Sequence, residues 1–338
     1  VQKETFGALQ GEPVEAVRLR GGGLEARLIT YGARLTELWV PDAKGDLADV
    51  VLGYGNLDGY VQSGAFAGAT CGQYANRVAG GRCMIAGKPL QLDRNEGGNH
   101  LHGGTAGFDR KLWHIAALEE HSVTFVASTG DGEMGFPGHS NLCVRYSLTG
   151  TGMLEIEMTA DTDAPTLINM AHHSYFNLSG QGGDDVLDHQ LQIAAPFYTP
   201  VDGENLATGE IVAVAETPFD FQELKPIGRD IGTLGGGYDH NWCLTGATPA
   251  ACLFDPISGR RMTLDTNQLG LQVYTGGGFD GTERGKAGQP LGRFAGVALE
   301  TQVFPCSPNF AHFPNCILQP GEIYRHDMRL TFTANLPV

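Results

Sequence analysis

Residues 153–160, MLEIEMTA, set Leu154, Ile156 and Met158 on one side of an extended chain and Glu155, Glu157 and Thr159 on the other. That two-residue period is the mark of a strand with one buried face. Alternating or apolar runs of similar length recur at 24–32 (LEARLITYG), 48–54 (ADVVLGY), 122–129 (SVTFVAST), 141–148 (NLCVRYSL) and 189–195 (HQLQIAA). They continue at 262–266 (MTLDT), 271–276 (LQVYTG), 296–304 (GVALETQVF) and 328–334 (MRLTFTA). No segment sustains a helical period of 3.6. The 49 glycines and 17 prolines lie between the runs throughout the chain, so turns are frequent everywhere. Three G-[FY]-D triplets (107–109, 237–239, 278–280) are spaced too irregularly to be repeats. Many short strands joined by Gly-rich turns predict an all-β protein, a large antiparallel β-sandwich with few short helices. No Pro/Ser-rich linker or shift of composition divides the chain, so residues 1–338 are expected to form one domain.

A hydrophobic content of 41% with 18% charged residues is enough for a sizeable core. The formal net charge of −16 argues against nucleic acid, anionic membrane surfaces and polyanionic substrates, all of which favour a basic face. A neutral or cationic small molecule fits better, bound by a monomer or a homodimer. No run of 18 apolar residues occurs, and VQKETFGALQGEP lacks the basic start and apolar stretch of a signal peptide. Seven scattered cysteines (Cys71, Cys83, Cys143, Cys243, Cys252, Cys306, Cys316), with no C-x-x-C spacing, read as reduced and mostly buried thiols. The expected location is therefore the cytoplasm. The chain does not begin with Met, and a signal already removed would move that expectation to the periplasm or outside the cell.

Adjacent histidines in AHHSYFNLSG (171–180) raise the question of which one does chemistry. If TLINMAHHSYF is extended, Leu167, Asn169, Ala171, His173 and Tyr175 share one face, and Ile168, Met170, His172, Ser174 and Phe176 share the other. His173 is then the reactive candidate and His172 a packed residue, unless a bulge reverses the pair. In GVALETQVFP, Glu300 shares a face with Ala298, Gln302 and Phe304. A carboxyl group inside an apolar strand is costly unless it is paired or functional, and desolvation raises its pKa into the range of a useful base. The plainer reading is a surface Glu on an edge strand. His100 and His102 in GGNHLHGG have the H-x-H spacing of some metal sites, and a cupin-like centre built on them, a later His and Glu300 is a rival reading. Asp239 lies in the Gly-rich turn LGGGYDHNWCL, where an Asp more often serves the local backbone. Nucleophile elbows, P-loops and dinucleotide fingerprints are absent from the sequence, which favours acid/base chemistry without a nucleotide cofactor.

Taken together and in this order, NRVAGGR, NHLHGGTAGFDRKLW, HSYFNLSG, GGYDHNWCL, LQVYTGG and ALETQVFP resemble the aldose 1-epimerase (galactose mutarotase) family. The resemblance extends over nearly the whole chain, since ITYGARLTELWVPD and ADVVLGY are similar to the family's N-terminal strands. It implies a large antiparallel β-sandwich and interconversion of the α and β anomers of free aldoses such as galactose and glucose, with no metal or other cofactor. It also implies His173 as general acid and Glu300 as general base. Arg77 and His102 would contact the sugar and steady charge at the ring oxygen, with His102 counted among the catalytic groups. Asp239, Gln272 and Asn76 would bind sugar hydroxyls. The chain departs from the family pattern at His172, where Asn is usual, and at Cys306 in FPCSPN, where an acid is usual.

The chemistry asks for these residue types. Opening a pyranose removes the proton of the C1 hydroxyl while the ring oxygen gains one, so a base and an acid must flank the C1–O5 bond. Trp113, Tyr175, Phe176, Phe279 and Trp242 are candidates for an apolar wall against the sugar. A non-catalytic sugar-binding sandwich is one rival and a hexose-6-phosphate epimerase another. The latter needs several cations at the site, and besides Arg77 the motif loops carry only Arg82, Arg110 and Lys111.

Overall fold

The computed structural model describes residues 1–334. Strands dominate it, and its one α-helix, Leu57–Gln62, is short. The largest sheet has nine strands in the order His114–Leu118, Ser122–Thr129, Ser140–Thr149, Met153–Thr162, Tyr324–Ala334, Arg260–Thr266, Ala251–Phe254, Gln190–Ile193 and Lys225–Pro226. The last long strand of the chain thus lies in its middle, paired to Met153–Thr162 on one side and Arg260–Thr266 on the other. A five-stranded sheet is formed in chain order by Gln2–Leu9 through Leu47–Asp49. A six-stranded sheet runs Tyr175–Phe176, Val297–Gln302, Gly270–Tyr274, Asp239–Cys243, Phe197–Thr199, Val212–Ala213. Every strand pair in these sheets is antiparallel.

One apolar core is shared by the three sheets. Leu28 and Leu38 enter it from the five-stranded sheet, Leu154, Ile156 and Met158 from the nine-stranded sheet, and Leu271, Val273, Val297 and Leu299 from the six-stranded sheet. Leu154, Ile156 and Met158 are buried while Glu155, Glu157 and Thr159 are partly exposed, as the alternation predicts. The same period turns Gln272 and Glu300 to the opposite face of the six-stranded sheet, where the candidate site lies.

Two expected strands are broken. ADVVLGY pairs with the neighbouring strand only as far as Asp49; its carboxylate accepts from Leu38 N and Val51 N, and the chain then crosses over to bridge Phe176. TLINMAHHSYF consists of three short pieces, Thr166–Leu167, Ala171–His173 and Tyr175–Phe176, each with a different partner strand. Asn169 occupies the first break, its amide donating to Ala75 O (3.0 Å) and accepting from Val303 N (3.1 Å). The seven cysteines are free, five of them buried. Among the described residues no helix is long and apolar enough to cross a membrane.

Candidate active site

The two strands that carry His173 and Glu300 are aligned by register. Tyr175 pairs with Ala298, so continuing the antiparallel register by two residues sets His173 opposite Glu300. Glu300 also pairs with Gln272, and Gln272 with Asn241, which makes a polar row across the sheet on the face away from the core. His173 Nε2 stands 3.5 Å from Glu300 Oε1, and both side chains are almost wholly buried. Glu300 lies on an interior strand, between Tyr175–Phe176 and Gly270–Tyr274, which removes the edge-strand reading.

Neither group has its full set of hydrogen bonds: Glu300 Oε2 and His173 Nδ1 are buried without partners among the described residues. Native proteins seldom tolerate such groups without a ligand, a water or a catalytic reason. Burial pushes the Glu300 carboxyl well above its ordinary pKa, the charge of Asp239 pushes it further, and Arg77 opposes both. Burial likewise lowers His173 to about 4, against a smaller raising influence from its own backbone and from Asp239. The low dielectric thus penalises the charged form of each partner.

The adjacent histidines are separated as alternation predicts. His172 points into the core, where its Nε2 meets Ser174 Oγ at 2.8 Å and its Nδ1 meets Tyr146 Oη at 3.3 Å. Burial lowers its pKa to about 3.

Arg77, Asn76 and His102 come from two loops that pack together. The His102 amide donates to Asn76 O (3.2 Å), and the Asn76 amide donates to His102 Nδ1 (3.2 Å). Asn76 and His102 have positive φ, 64° and 49°, the left-handed region that ordinary side chains visit at a cost of about 1–3 kcal/mol and that often marks functional loops. Gly103 follows His102 at φ +93°, and a Cβ there would lie 1.7 Å from Gly72 O, so the LHGG turn requires glycine at this position. Arg77 is forked onto Glu96 through Nε and Nη2, each at 2.7 Å, and its Nη1 lies 3.6 Å from Asp239 Oδ2. Gln272 donates to Asp239 Oδ1 at 2.6 Å, so its amide nitrogen steadies Asp239.

These groups open onto a cavity of ≈ 740 Å³ lined by Asn76, Arg77, His102, His173, Asp239 and Glu300 among others. Gln272 stands behind this surface. A second hollow of ≈ 730 Å³ near Leu142 and Ile323 contains none of the expected residues. Of the aromatic candidates, Tyr175 and Phe279 line the cavity that holds His173 and Glu300, whereas Trp113, Phe176 and Trp242 belong to the main core. Phe66, Tyr274, His240 and Glu283 also line the cavity and were not anticipated. Tyr274 was within reach, since it alternates with Gln272 in LQVYTG. His240 follows Asp239 in the strand Asp239–Cys243, whereas Phe66 and Glu283 sit in loops where periodicity carries no information.

The metal reading changes its members and weakens. His100 turns away, with Nδ1 at 2.8 Å from Asp93 O and its ring against Phe136. The groups that converge are His102, His173 and Glu300, whose candidate ligand atoms lie within 4.8 Å of one another. A backbone N–H can only donate, so Nδ1 of His102 is an acceptor and the proton of this neutral ring resides on Nε2. That nitrogen is therefore a hydrogen-bond donor and has no lone pair for a metal. The phosphosugar reading fares no better: Arg77 is the only Lys or Arg on the cavity wall among the described residues, and Arg82, Arg110 and Lys111 lie elsewhere.

Residues 15–331 match the family model described as aldose 1-epimerase. The chain is 39% identical to the galactose mutarotase of Rattus norvegicus over 99% of each chain. It is 35% identical to the aldose 1-epimerase of Escherichia coli K12 over 97% of each. A crystal structure of galactose 1-epimerase from Lactobacillus acidophilus superimposes with a TM-score of 0.88 at 27% identity, covering 99% of this chain and 98% of that one.

Proposed function

The chain belongs to the aldose 1-epimerase family and is an isomerase that interconverts aldose anomers, and on that premise we propose that His173 and Glu300 perform the ring opening. Glu300 takes the proton of the C1 hydroxyl as His173 gives its proton to the ring oxygen O5, and the C1–O5 bond breaks. The open-chain aldehyde rotates about C1–C2 and closes on the other face with the two roles exchanged. The pair holds one proton before ring opening, as carboxylate and imidazolium, and one proton afterwards, as carboxylic acid and neutral imidazole. Because burial disfavours charge on both groups, ring opening discharges the pair in the direction its surroundings favour. Each acid or base typically contributes ~10²–10⁴-fold.

Arg77 and His102 Nε2–H supply donors beside the ring oxygen. Asp239 and Asn76 hold hydroxyls, and Gln272 holds Asp239. The observation that carries this reading is the 3.5 Å approach of His173 Nε2 to Glu300 Oε1, with the remaining polar atom of each left unpartnered at one cavity. Tyr175 and Phe279 offer the apolar wall. Galactose and glucose are the proposed substrates, with xylose and arabinose as further candidates. We place the protein in the cytoplasm, acting through one domain as a monomer or homodimer. Exchange NMR of D-galactose tests the function: catalytic amounts of protein produce exchange cross-peaks between the α and β H1 resonances, and their absence with all four sugars contradicts it.

A further inference from the structure

The cavity wall carries three carboxyl groups, Asp239, Glu283 and Glu300, against one guanidinium. Arg77 is already neutralised by its fork onto Glu96. Asp239 and Glu300 have roles in the mechanism above, and Glu283 has none. It sits on a pinned loop: Gly281 N donates to Leu291 O (2.9 Å), Gly285 N to Gln289 O (2.8 Å), and Lys286 Nζ to Asp49 Oδ2 (2.5 Å) and Val51 O (2.8 Å). The carboxylate is fixed as well, with Tyr54 Oη and Ser63 Oγ both donating to Oε2. Oε1 has no hydrogen-bond partner among the described residues. A rim carboxylate with one oxygen held and the other free is placed to meet a substrate.

Its position along the cavity follows from Tyr175. That ring lies 5.0 Å from the His173 ring, and its hydroxyl donates to Ala65 O at 2.9 Å. Ala65 N in turn donates to Ser63 Oγ, which holds Glu283. Glu283 is therefore separated from the reacting pair by about the length of a tyrosine, so a sugar whose C1 meets that pair can reach it only with substituents remote from C1.

We propose that Glu283 is a specificity-determining residue that selects aldoses by the charge of the substituent remote from C1, accepting a hydroxyl or an ammonium group and rejecting a carboxylate or phosphate. The inference rests on the mutarotase reading of the same cavity. Two unit charges several ångströms apart in a partly solvated site shift affinity by about threefold to thirtyfold, and added salt screens the effect.

The test compares kcat/KM for α/β exchange of D-glucose, D-glucuronate and 6-amino-6-deoxy-D-glucose, each corrected for the enzyme-free rate, in the wild type and in Glu283→Gln. The amide keeps an acceptor for Tyr54 and Ser63 while removing the charge. The wild type is expected to prefer the amino sugar to glucuronate, and the variant to lose at least threefold of that ratio while still turning over D-glucose. An unchanged ratio in a variant active on D-glucose overturns the proposal. Should the variant fail to fold, the wild type decides: a ratio that falls between low and 0.5 M added salt supports the proposal, and a salt-independent ratio overturns it. Failure of the wild type to accelerate D-glucose exchange would instead overturn the mutarotase reading.

Discussion

His173 and Glu300 face each other across adjacent strands, Nε2 to Oε1 at 3.5 Å, with no other protein partner for Glu300 Oε2 or His173 Nδ1 among the described residues. In the roles proposed for them, an acid and a base this close handle one proton between them. Several consequences are measurable.

His172 occupies the core beside this pair. His172→Asn is expected to keep turnover within about tenfold of wild type, because no reacting atom is removed, while losing about 1–3 kcal/mol of stability with the Tyr146 or Ser174 contact. Polarimetric rates and urea unfolding of the same preparation separate the two effects. A loss of turnover as large as that of His173→Asn would show that the roles of the adjacent histidines are reversed.

The charge of Asp239 raises the pKa of Glu300, and that of Arg77 lowers it. The limb of kcat/KM that reports Glu300 is the basic one, because His173 is held at about 4. Asp239→Asn is therefore expected to move that limb to lower pH, since Glu300 then loses its proton more readily, and to raise KM through loss of a hydroxyl acceptor. Arg77→Gln is expected to move the limb the other way. A pH–rate profile from pH 4 to 8 checks both signs, and limbs that stay fixed would mean that Glu300 is not the titrating base.

His172, His173 and His326 are held at about 3, 4 and 4 by burial. Below about pH 6.5 the unfolded chain protonates these rings while the native protein does not, so stability falls as pH drops from about 6.5 towards 4. Each ring contributes up to ~1.4 kcal/mol per pH unit in that window. Burial lowers His100, His102, His189 and His240 in the same direction. Glu300, like Asp49 and Asp109, acts with the opposite sign: a raised pKa adds stability that is complete below the ordinary carboxyl value and is lost as pH rises through its native value. His326→Gln, which removes a ring bonded to Thr301 Oγ1 and Met170 O, should flatten the profile by about one histidine's slope. Unfolding by urea at pH 5 and pH 7 tests this, and an unchanged slope would contradict it.

Treatment with EDTA followed by gel filtration is expected to leave turnover unchanged, because the proton on His102 Nε2 makes that ring a donor. Activity lost to the chelator and restored by Zn²⁺ or Mn²⁺ would revive the metal reading with His102, His173 and Glu300 as ligands.

Much of this site was legible before any coordinates. Period-two alternation picked His173 over His172 and set Glu300 on the face away from the core, because a strand's pleat fixes side-chain direction even where hydrogen-bonded partners change. The breaks at Asn169 and after Asp49 were invisible, since each depends on side-chain bonds to distant backbone. The H-x-H spacing of His100 and His102 misled for a related reason. Two residues apart implies one face only in an extended chain, and His102 has a positive φ. Glu283 and Phe66 lie in loops whose course depends on contacts far along the chain, such as Lys286 with Asp49.

The central claim is tested most directly by the optical rotation of freshly dissolved α-D-galactose with wild type, Glu300→Gln, His173→Asn and the double variant. The account predicts decay proportional to wild-type protein and ending at the same equilibrium rotation, a loss of about 10²–10⁴-fold in each single variant with galactose still bound, and little further loss in the double variant. A single variant that keeps the wild-type rate, or a double variant whose loss is the product of the two single losses, would contradict a coupled acid and base.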